Sequence, residues 1–136
     1  LNNIMENKCW TLNNVLEEFY PQAHQCAARY DEFSSEFRET SLTEAYSSLK
    51  APYVEQASIQ IGLEFVERID VKANGTHIVI GEIVEVFMPQ NIVEVDGTID
   101  IERSGSLVVA GLNSYHKTSK LSRLSYPKVG RPLETL

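Results

Sequence analysis

The sequence is poor in the residues that build disulfide-rich or metal-dependent proteins. It has two cysteines and three histidines in 136 residues. Two cysteines are too few for a disulfide framework, so we expect two small, buried or part-buried thiols in a reducing cytoplasm. His24 and Cys26 are two residues apart on a predicted helix and therefore point to different sides of its axis. No other spacing fits a zinc site, and the sequence predicts no metal centre.

Long hydrophobic runs and an excess of positive charge are also missing. No apolar stretch approaches the ~20 residues of a membrane helix, and no signal peptide is recognisable. Twelve Lys and Arg against nineteen Asp and Glu give a net charge of -7. A general nucleic-acid binder needs a basic face, so we expect neither nucleic acid nor membrane as a partner. The carboxy-terminal segment alone is basic and could hold one phosphate, through Lys117, Lys120, Arg123, Lys128 and Arg131.

Motifs that identify a reaction are absent as well. The chain has no Gly-x-Ser-x-Gly elbow, no Walker loop and no Gly-x-Gly-x-x-Gly, and the catalytic residues stay unknown. Two interpretations of His24 are open. It is either a helix-surface histidine bonded to backbone, or a ligand contact near a helix amino terminus, where free N–H groups favour an anion. Tyr115 follows a bend at Gly111, and a packed ring whose hydroxyl bonds a polar group explains it without a ligand.

The strongest structural pattern is a hairpin. Residues 58–69 alternate between apolar and polar side chains, and residues 76–88 form a second β-rich run, which indicates two strands. Asn74-Gly75 between them favours a two-residue turn. That register would place Glu67 opposite Glu82, and opposed like charges are destabilising. Either a bulge around residues 70–72 shifts the register, or the acidic pair lies near a rim; we favour the bulge, since bulges are common at barrel rims. The second strand is apolar on both faces, as in a barrel wall covered on both sides.

The remaining segments predict short elements around this hairpin. Residues 8–12 favour a strand. Two helices, residues 15–20 and 22–29 or 30, are expected on either side of Pro21, which can open a helix but not continue one. Ser41 and Glu44 form a capping-box pattern that predicts a helix to about residue 49. Asp96-Gly97 predicts a second, shorter hairpin. The whole chain, 1–136, is expected to be one mainly β domain with short helices.

The order of these pieces resembles the flavin reductase-like, FMN-binding split-barrel family. Seven short motifs carry the resemblance, each weak alone but all in the family's order. They are Thr11-Leu12-Asn13-Asn14-Val15, Ala23-His24-Gln25-Cys26-Ala27-Ala28, Ser35-Glu36-Phe37, Ala51-Pro52-Tyr53-Val54-Glu55-Gln56-Ala57, Asn74-Gly75 with His77-Ile78-Val79-Ile80-Gly81-Glu82-Ile83, Gly97-Thr98-Ile99-Asp100, and Gly111-Leu112-Asn113-Ser114-Tyr115. The resemblance runs from Leu1 to about Tyr126.

The resemblance implies a Greek-key split β-barrel with short flanking helices. It also implies that the family's amino-terminal strands are missing here, so that the chain is the carboxy-terminal portion of the domain. The expected protein is a cytoplasmic homodimer that binds FMN near the subunit interface and uses NAD(P)H as co-substrate. The flavin-lining residues implied by the motifs are Asn13, Gln22, Ala23, His24, Gln25, Cys26, Ala27 and Tyr115.

One departure from the family motif bears on function. Cys26-Ala27 replaces a Thr-Ser pair, which removes hydroxyls that could reach flavin or phosphate. Three functions stay open on the sequence. The first is an FMN-dependent oxidoreductase of flavin reductase type, in which the flavin supplies the redox chemistry. The second is a flavin-binding electron carrier without reductase turnover. The third is a non-enzymatic dimeric split-barrel protein that has lost the flavin site.

Overall fold

The computed structural model describes residues 1–136 as short helices packed against small antiparallel sheets. In chain order the elements are α1 (Asn2–Asn7), β1 (Cys9–Asn13), α2 (Tyr20–Gln25), α3 (Glu36–Thr40), β2 (Glu44–Ala45), β3 (Tyr53–Val54), β4 (Gln60–Val71), β5 (Thr76–Phe87), a 3₁₀ turn (Gln90–Ile92), β6 (Leu107–Ala110) and β7 (Ser114–Lys117). The central sheet has the order β1-β4-β5, and β2 pairs with β3 and β6 with β7.

The β4–β5 hairpin is present, but its predicted register is wrong. Val71 pairs with Thr76, which leaves a four-residue loop rather than a two-residue one. The loop closes because Asn74 Oδ1 accepts the Thr76 N–H at 3.1 Å and Gly75, at φ +70°, donates its N–H to the Val71 carbonyl. The register shifts lie further down the strands, at 62/63 and 65/67, and not around residues 70–72.

These shifts change which side chains face each other. Glu67 lies opposite Ile80, and the opposed like charges are Glu64 and Glu82 instead. The expected cover on both faces of β5 is not supplied by this chain: Ile78 is 52% exposed and Ile83 is 58% exposed. Beyond the residues that pair with β1, the hairpin therefore continues as two strands whose apolar side chains are largely in contact with solvent.

The buried core lies beside the sheet, under the two central helices. Its centre is the cluster of Phe19, Leu42 and Ala57. Partly buried apolar side chains surround it: Val15, Leu16, Ala23, Cys26, Phe37 and Val54. The cluster holds α2 and α3 against the start of β4, and so fixes the helix that carries four of the eight predicted site residues.

The helix predicted over residues 15–20 is wrong, because Asn14 serves another purpose. Its side-chain carbonyl accepts the Ile59 N–H at 2.8 Å, and its amide donates to Ser58 Oγ and Ser106 Oγ at 2.9 and 2.8 Å. Asn14 thus joins the end of β1 to the start of β4 and does not cap a helix. The helix begins at Tyr20, with Pro21 in its first turn as expected, and ends at Gln25 rather than at 29 or 30.

The helix predicted from Ser41 to about residue 49 is also wrong. Ser41 has φ 58° and ends α3, the helix of residues Glu36–Thr40. Gln56 then holds the following residues extended: its Oε1 accepts the Thr43 N–H and its Nε2 donates to Thr43 Oγ1. The result is the short β2–β3 pair, a tertiary contact that overrides the local capping pattern.

Two turns that contain glycine lie in the carboxy-terminal third of the chain. The Asp96-Gly97 turn is confirmed, with Gly97 at φ +84°, but it closes a single bridge between Val93 and Ile99 rather than two strands. Gly111, at φ +65°, lies between β6 and β7. The sequence of residues 107–112 indicates a short buried strand or a turn; the strand is present, but three of the four residues of β6 are exposed. The hairpin carries Tyr115 towards α2.

Candidate functional site

An aromatic cluster joins α2 to the β6–β7 hairpin. His24 Nδ1 and the Tyr115 hydroxyl are 3.2 Å apart, within hydrogen-bond distance, and their rings meet edge to face with centroids 5.8 Å apart. Tyr20, one turn earlier on α2, lies with its ring centroid 5.1 Å from that of Tyr115. The structure therefore brings together His24 and Tyr115, two predicted site residues that are 91 positions apart in the chain.

An open cleft of about 370 Å³ lies beside this cluster. It is lined by Glu17, Tyr20, Leu107, Asn113, Tyr115, His116 and Lys117. Its size is near the lower end of the usual range for small-molecule sites. Aromatic rings on one wall and polar groups on the rest suit a planar heteroaromatic ligand with a polar edge.

One ion pair sets the charge of the cleft. Lys117 Nζ is 2.6 Å from Glu17 Oε2, and the hydrogen bond that the Lys117 ammonium donates to this carboxylate raises the pKa of Lys117. Lys117 is the one lysine or arginine on the cleft wall. It thus stays charged at neutral pH and is the cation of the cleft that could meet a ligand phosphate.

The other predicted residues in α2 and directly after it face in different directions. Ala23 and Cys26 pack towards the buried core. The Cys26 thiol has two acceptors within reach of its one hydrogen, the Gln22 carbonyl at 3.4 Å and Thr40 Oγ1 at 3.8 Å. Gln25 lies at the surface, where its amide donates to the Tyr30 hydroxyl at 3.2 Å, and Ala27 is exposed.

Asn13 is occupied by contacts within the chain. Its side-chain oxygen accepts the Val54 N–H at 3.1 Å, and its amide nitrogen donates to Thr11 Oγ1 at 3.0 Å. The side chain therefore anchors β3 to the end of β1. One amide hydrogen remains for any contact with a ligand.

Sequence reasoning missed two parts of the cleft. The sequence indicates Tyr20 only as the last residue of a predicted helix. Its ring contact with Tyr115 could not be predicted, because the contact depends on the tertiary fold. Lys117 stood out within a basic segment, but its partner Glu17 lies 100 positions earlier in the chain and no local pattern connects the two. Asn113 belongs to a motif that the resemblance had already singled out.

The chain offers neither a group of metal ligands nor a helix that is a candidate membrane span. No three or more His, Cys, Asp and Glu side chains are grouped so that they could hold a metal ion. None of the helices is long and apolar enough to cross a membrane.

Comparison with known proteins identifies the family. Residues 1–113 match the family model described as "Flavin reductase like domain", and the chain belongs to that family. No curated protein sequence matches the chain.

Solved structures agree with this assignment. A split-barrel-domain protein of Shewanella frigidimarina, provisionally assigned as a flavin reductase, is 41% identical, with a TM-score of 0.90 over 93% of this chain and 64% of that one. Flavoredoxin of Desulfovibrio vulgaris is 21% identical, with a TM-score of 0.74 over 95% and 67%. The 2-nitrobenzoate 2-nitroreductase of Pseudomonas fluorescens is 20% identical, with a TM-score of 0.79 over 96% and 65%. The last two show a shared fold alone.

These comparisons confirm the mainly β, flavin reductase-like split-barrel fold expected from the sequence motifs. The chain spans about two thirds of the length of the solved structures that it matches. These solved structures contain a further third that has no counterpart in this chain. The faces of the β4–β5 hairpin are exposed in the absence of that third.

Proposed function

We propose that this chain carries part of the flavin site of an FMN-dependent oxidoreductase of flavin reductase type. In that role the protein takes a hydride from NAD(P)H onto the flavin and passes the electrons to an acceptor. Membership of the flavin reductase-like family supports a flavin, and the cleft at the His24–Tyr115 pair is the observation that carries its location. We further propose a cytoplasmic homodimer.

The residues of the cleft suit distinct parts of FMN. The rings of Tyr20 and Tyr115, which are tilted by 46° against each other, offer apolar surface for the isoalloxazine, and Tyr115 is held in place by His24. Asn113 supplies an amide for the polar edge of the ring. Lys117 supplies a positive charge for the phosphate once the phosphate replaces Glu17 as its partner. The flavin supplies the redox chemistry when bound, so the task of these residues is to bind and orient it.

The first experiment is a titration of the purified protein with FMN and, separately, with FAD, followed by the visible spectrum. Saturable binding with shifted flavin bands is expected, and FMN is expected to bind more tightly than FAD. Anaerobic NADH or NADPH should then bleach the bound flavin. Flavin binding without turnover would favour an electron carrier, and no binding of either flavin would contradict both flavin functions.

A pair of histidine variants locates the site. His24→Ala removes the partner of Tyr115 and is expected to weaken FMN binding about tenfold, which corresponds to roughly 1.4 kcal/mol. His77→Ala is the matched control, because His77 lies at the tip of the β4–β5 hairpin and contacts Asp70. Equal affinities in the two variants would place the flavin elsewhere.

One observation favours the non-enzymatic alternative. The Cys26 thiol is turned to Gln22 and Thr40, and Ala27 has no hydroxyl. If those two positions were needed to hold the phosphate, Cys26→Thr with Ala27→Ser would create flavin binding in a protein that lacks it. A protein that already binds FMN should gain affinity modestly from the same exchange.

A further inference from the structure

The side chain of Glu17 occupies the cation of the cleft beside Tyr115. Its Oε2 lies 2.6 Å from Lys117 Nζ. Among the seven residues that line the cleft, Lys117 is the only lysine or arginine and Glu17 is the only aspartate or glutamate. A ligand that brings a phosphate to Lys117 therefore meets a carboxylate that is already bound there.

The backbone on both sides of Glu17 is held by the fold. Two residues earlier, the Val15 carbonyl accepts the Leu107 N–H at 2.9 Å. Two residues later, the Phe19 side chain is buried in the core. The Glu17 carboxylate makes one ion pair within the chain, to Lys117. It can thus leave Lys117 by rotation of its own side chain, without a change in the fold.

A second, smaller cavity adjoins the cleft at this ion pair. Its volume is about 240 Å³, and Glu17, Leu107 and Lys117 line both cavities. The smaller cavity contains two further acidic residues, Glu18 and Glu102, and no further lysine or arginine. Because like charges repel, a Glu17 carboxylate that turns into this cavity finds no cation there. Lys117 is its only cationic partner in either cavity, and the carboxylate returns to it when no ligand is bound.

A phosphate monoester competes well with this carboxylate. It carries roughly -1.5 to -2 charges at pH 7, whereas the carboxylate carries a single charge, and an ion pair between exposed side chains is weak. The phosphate therefore displaces Glu17 from Lys117, but its affinity is reduced by the loss of that pair and by repulsion from the displaced carboxylate. A ligand without a phosphate leaves the pair intact.

We propose that Glu17 is a specificity-determining residue of the cleft, because every ligand that places a phosphate on Lys117 must first displace its carboxylate. Glu17 thereby lowers the affinity for FMN and leaves the affinity for riboflavin, which has no phosphate, unchanged. The inference rests on the proposed flavin function for the identity of the ligand. The competition at Lys117 itself applies to any phosphate monoester and to inorganic phosphate.

The first test compares the affinities for FMN and riboflavin, measured by the quenching of flavin fluorescence. Glu17→Gln is expected to raise the affinity for FMN at least about threefold and to leave that for riboflavin unchanged. Glu18→Gln is the matched control, because it removes the same charge from the next residue, which does not pair with Lys117. Its gain for FMN should be smaller. Equal gains in the two variants, or an equal gain for riboflavin, would overturn the proposal.

Lys117→Gln tests whether the effect of Glu17 passes through Lys117. In this background Glu17→Gln should no longer change the affinity for FMN, because the two side chains act as a coupled pair. A gain for FMN as large as in the protein that retains Lys117 would overturn the proposal.

Inorganic phosphate separates this inference from the flavin function. The 13Cε–1Hε NMR signal of Lys117, identified by its absence in Lys117→Gln, is followed during a phosphate titration at constant ionic strength. The midpoint is expected at a phosphate concentration at least about threefold lower in Glu17→Gln than in the wild type. That result in a protein that binds neither flavin would contradict the flavin function and uphold the competition. FMN binding that Glu17→Gln does not alter would uphold the flavin function and overturn the inference, as would a Lys117 signal that does not respond to phosphate in either protein.

Discussion

Gly62 lies in β4 where the side chain of Tyr53 reaches across the strand. A methyl group at this position would lie 2.2 Å from the Tyr53 hydroxyl and 2.7 Å from Leu49 Cδ1. Tyr53 and Leu49 are 2% and 8% exposed, so neither can move aside easily. The glycine is therefore required by close approach, not by its own backbone conformation.

Gly62→Ala is expected to lower the free energy of unfolding by roughly 1–3 kcal/mol, because overpacking displaces buried side chains. Urea denaturation measures the change. Gly75→Ala is the comparison: nothing lies within 4 Å of its added methyl, and only the strain of φ +70° remains, about 1 kcal/mol. A smaller loss at Gly62 than at Gly75 would contradict the packing argument.

Glu85 is the residue whose titration should affect stability in acid. Its Oε1 accepts the Tyr53 hydroxyl hydrogen at 2.5 Å, and its Oε2 accepts that of Ser48 at 2.8 Å. Hydrogen bonds from Tyr53, and then from Ser48, lower the pKa of the Glu85 carboxyl. Burial and the nearby carboxylate raise the pKa of the Tyr53 phenol, so Tyr53 stays a donor throughout.

The pKa of Glu85 is lower in the folded state than in the unfolded state, where it is about 4.3. The ionised carboxylate therefore stabilises the fold at pH values above about 4.3, and this contribution is lost as the pH falls through the folded pKa. We therefore expect the stability of the wild type to fall more steeply between pH 6 and pH 3 than that of Glu85→Gln. Urea midpoints at each pH provide the measurement. Glu55→Gln, an exposed carboxylate without a hydrogen-bonded side-chain partner, should keep the slope of the wild type.

At the scale of elements, one ion pair joins the carboxy-terminal arm, residues 123–136, to the 96–97 turn. Asp96 accepts the Thr98 N–H at 3.1 Å and also contacts Arg123. The Thr98 backbone, and then Arg123, lower the pKa of Asp96 to about 2. The arm is thereby fixed at its base, which sets the direction in which its tip projects.

Arg123→Gln should raise the pKa of Asp96 towards the ordinary value of about 3.9 without reaching it, because the larger cause, the Thr98 N–H, remains. Side-chain carboxyl shifts in a 13C NMR titration report this pKa directly. Asp70 is an internal control, because its pKa is lowered by Arg68 and His77. A shift of Asp70 alone, or none at Asp96, would contradict the pairing.

For the whole molecule, net charge and exposed apolar surface act in opposite directions. The charge of -7 makes molecules repel one another at neutral pH and so opposes aggregation, and the sequence pI is about 4.9. Near that pH the repulsion vanishes, and apolar side chains of β5 such as Ile78 and Ile83 remain exposed.

We therefore expect a minimum of solubility near pH 5, with recovery at pH 7.5. Light scattering across this range at low salt measures it. Ile78→Thr with Ile83→Thr keeps the charge and the β propensity but removes apolar surface, and should reduce the scattering at the minimum. Scattering that is the same in this variant would assign the effect to another surface.

The sequence by itself determined the hairpin, its turn residues, the Asp96-Gly97 turn and the family, because alternation and turn chemistry are local and the motifs occur in a fixed order. It also singled out His24 and Tyr115. It failed at Asn14 and Ser41, whose local patterns predict helix caps. There the tertiary partners Ile59 and Gln56 offer hydrogen bonds that the local helix cannot match.

Only the tertiary structure decided the register of β4 and β5, the contact of Tyr115 with His24 and the pairing of Lys117 with Glu17. Each depends on contacts between residues far apart in the chain, and the periodicity of a sequence does not show such contacts. The register in particular follows from two irregularities within the strands, so the side chains that lie opposite each other in β4 and β5 could not be known before the strands were paired.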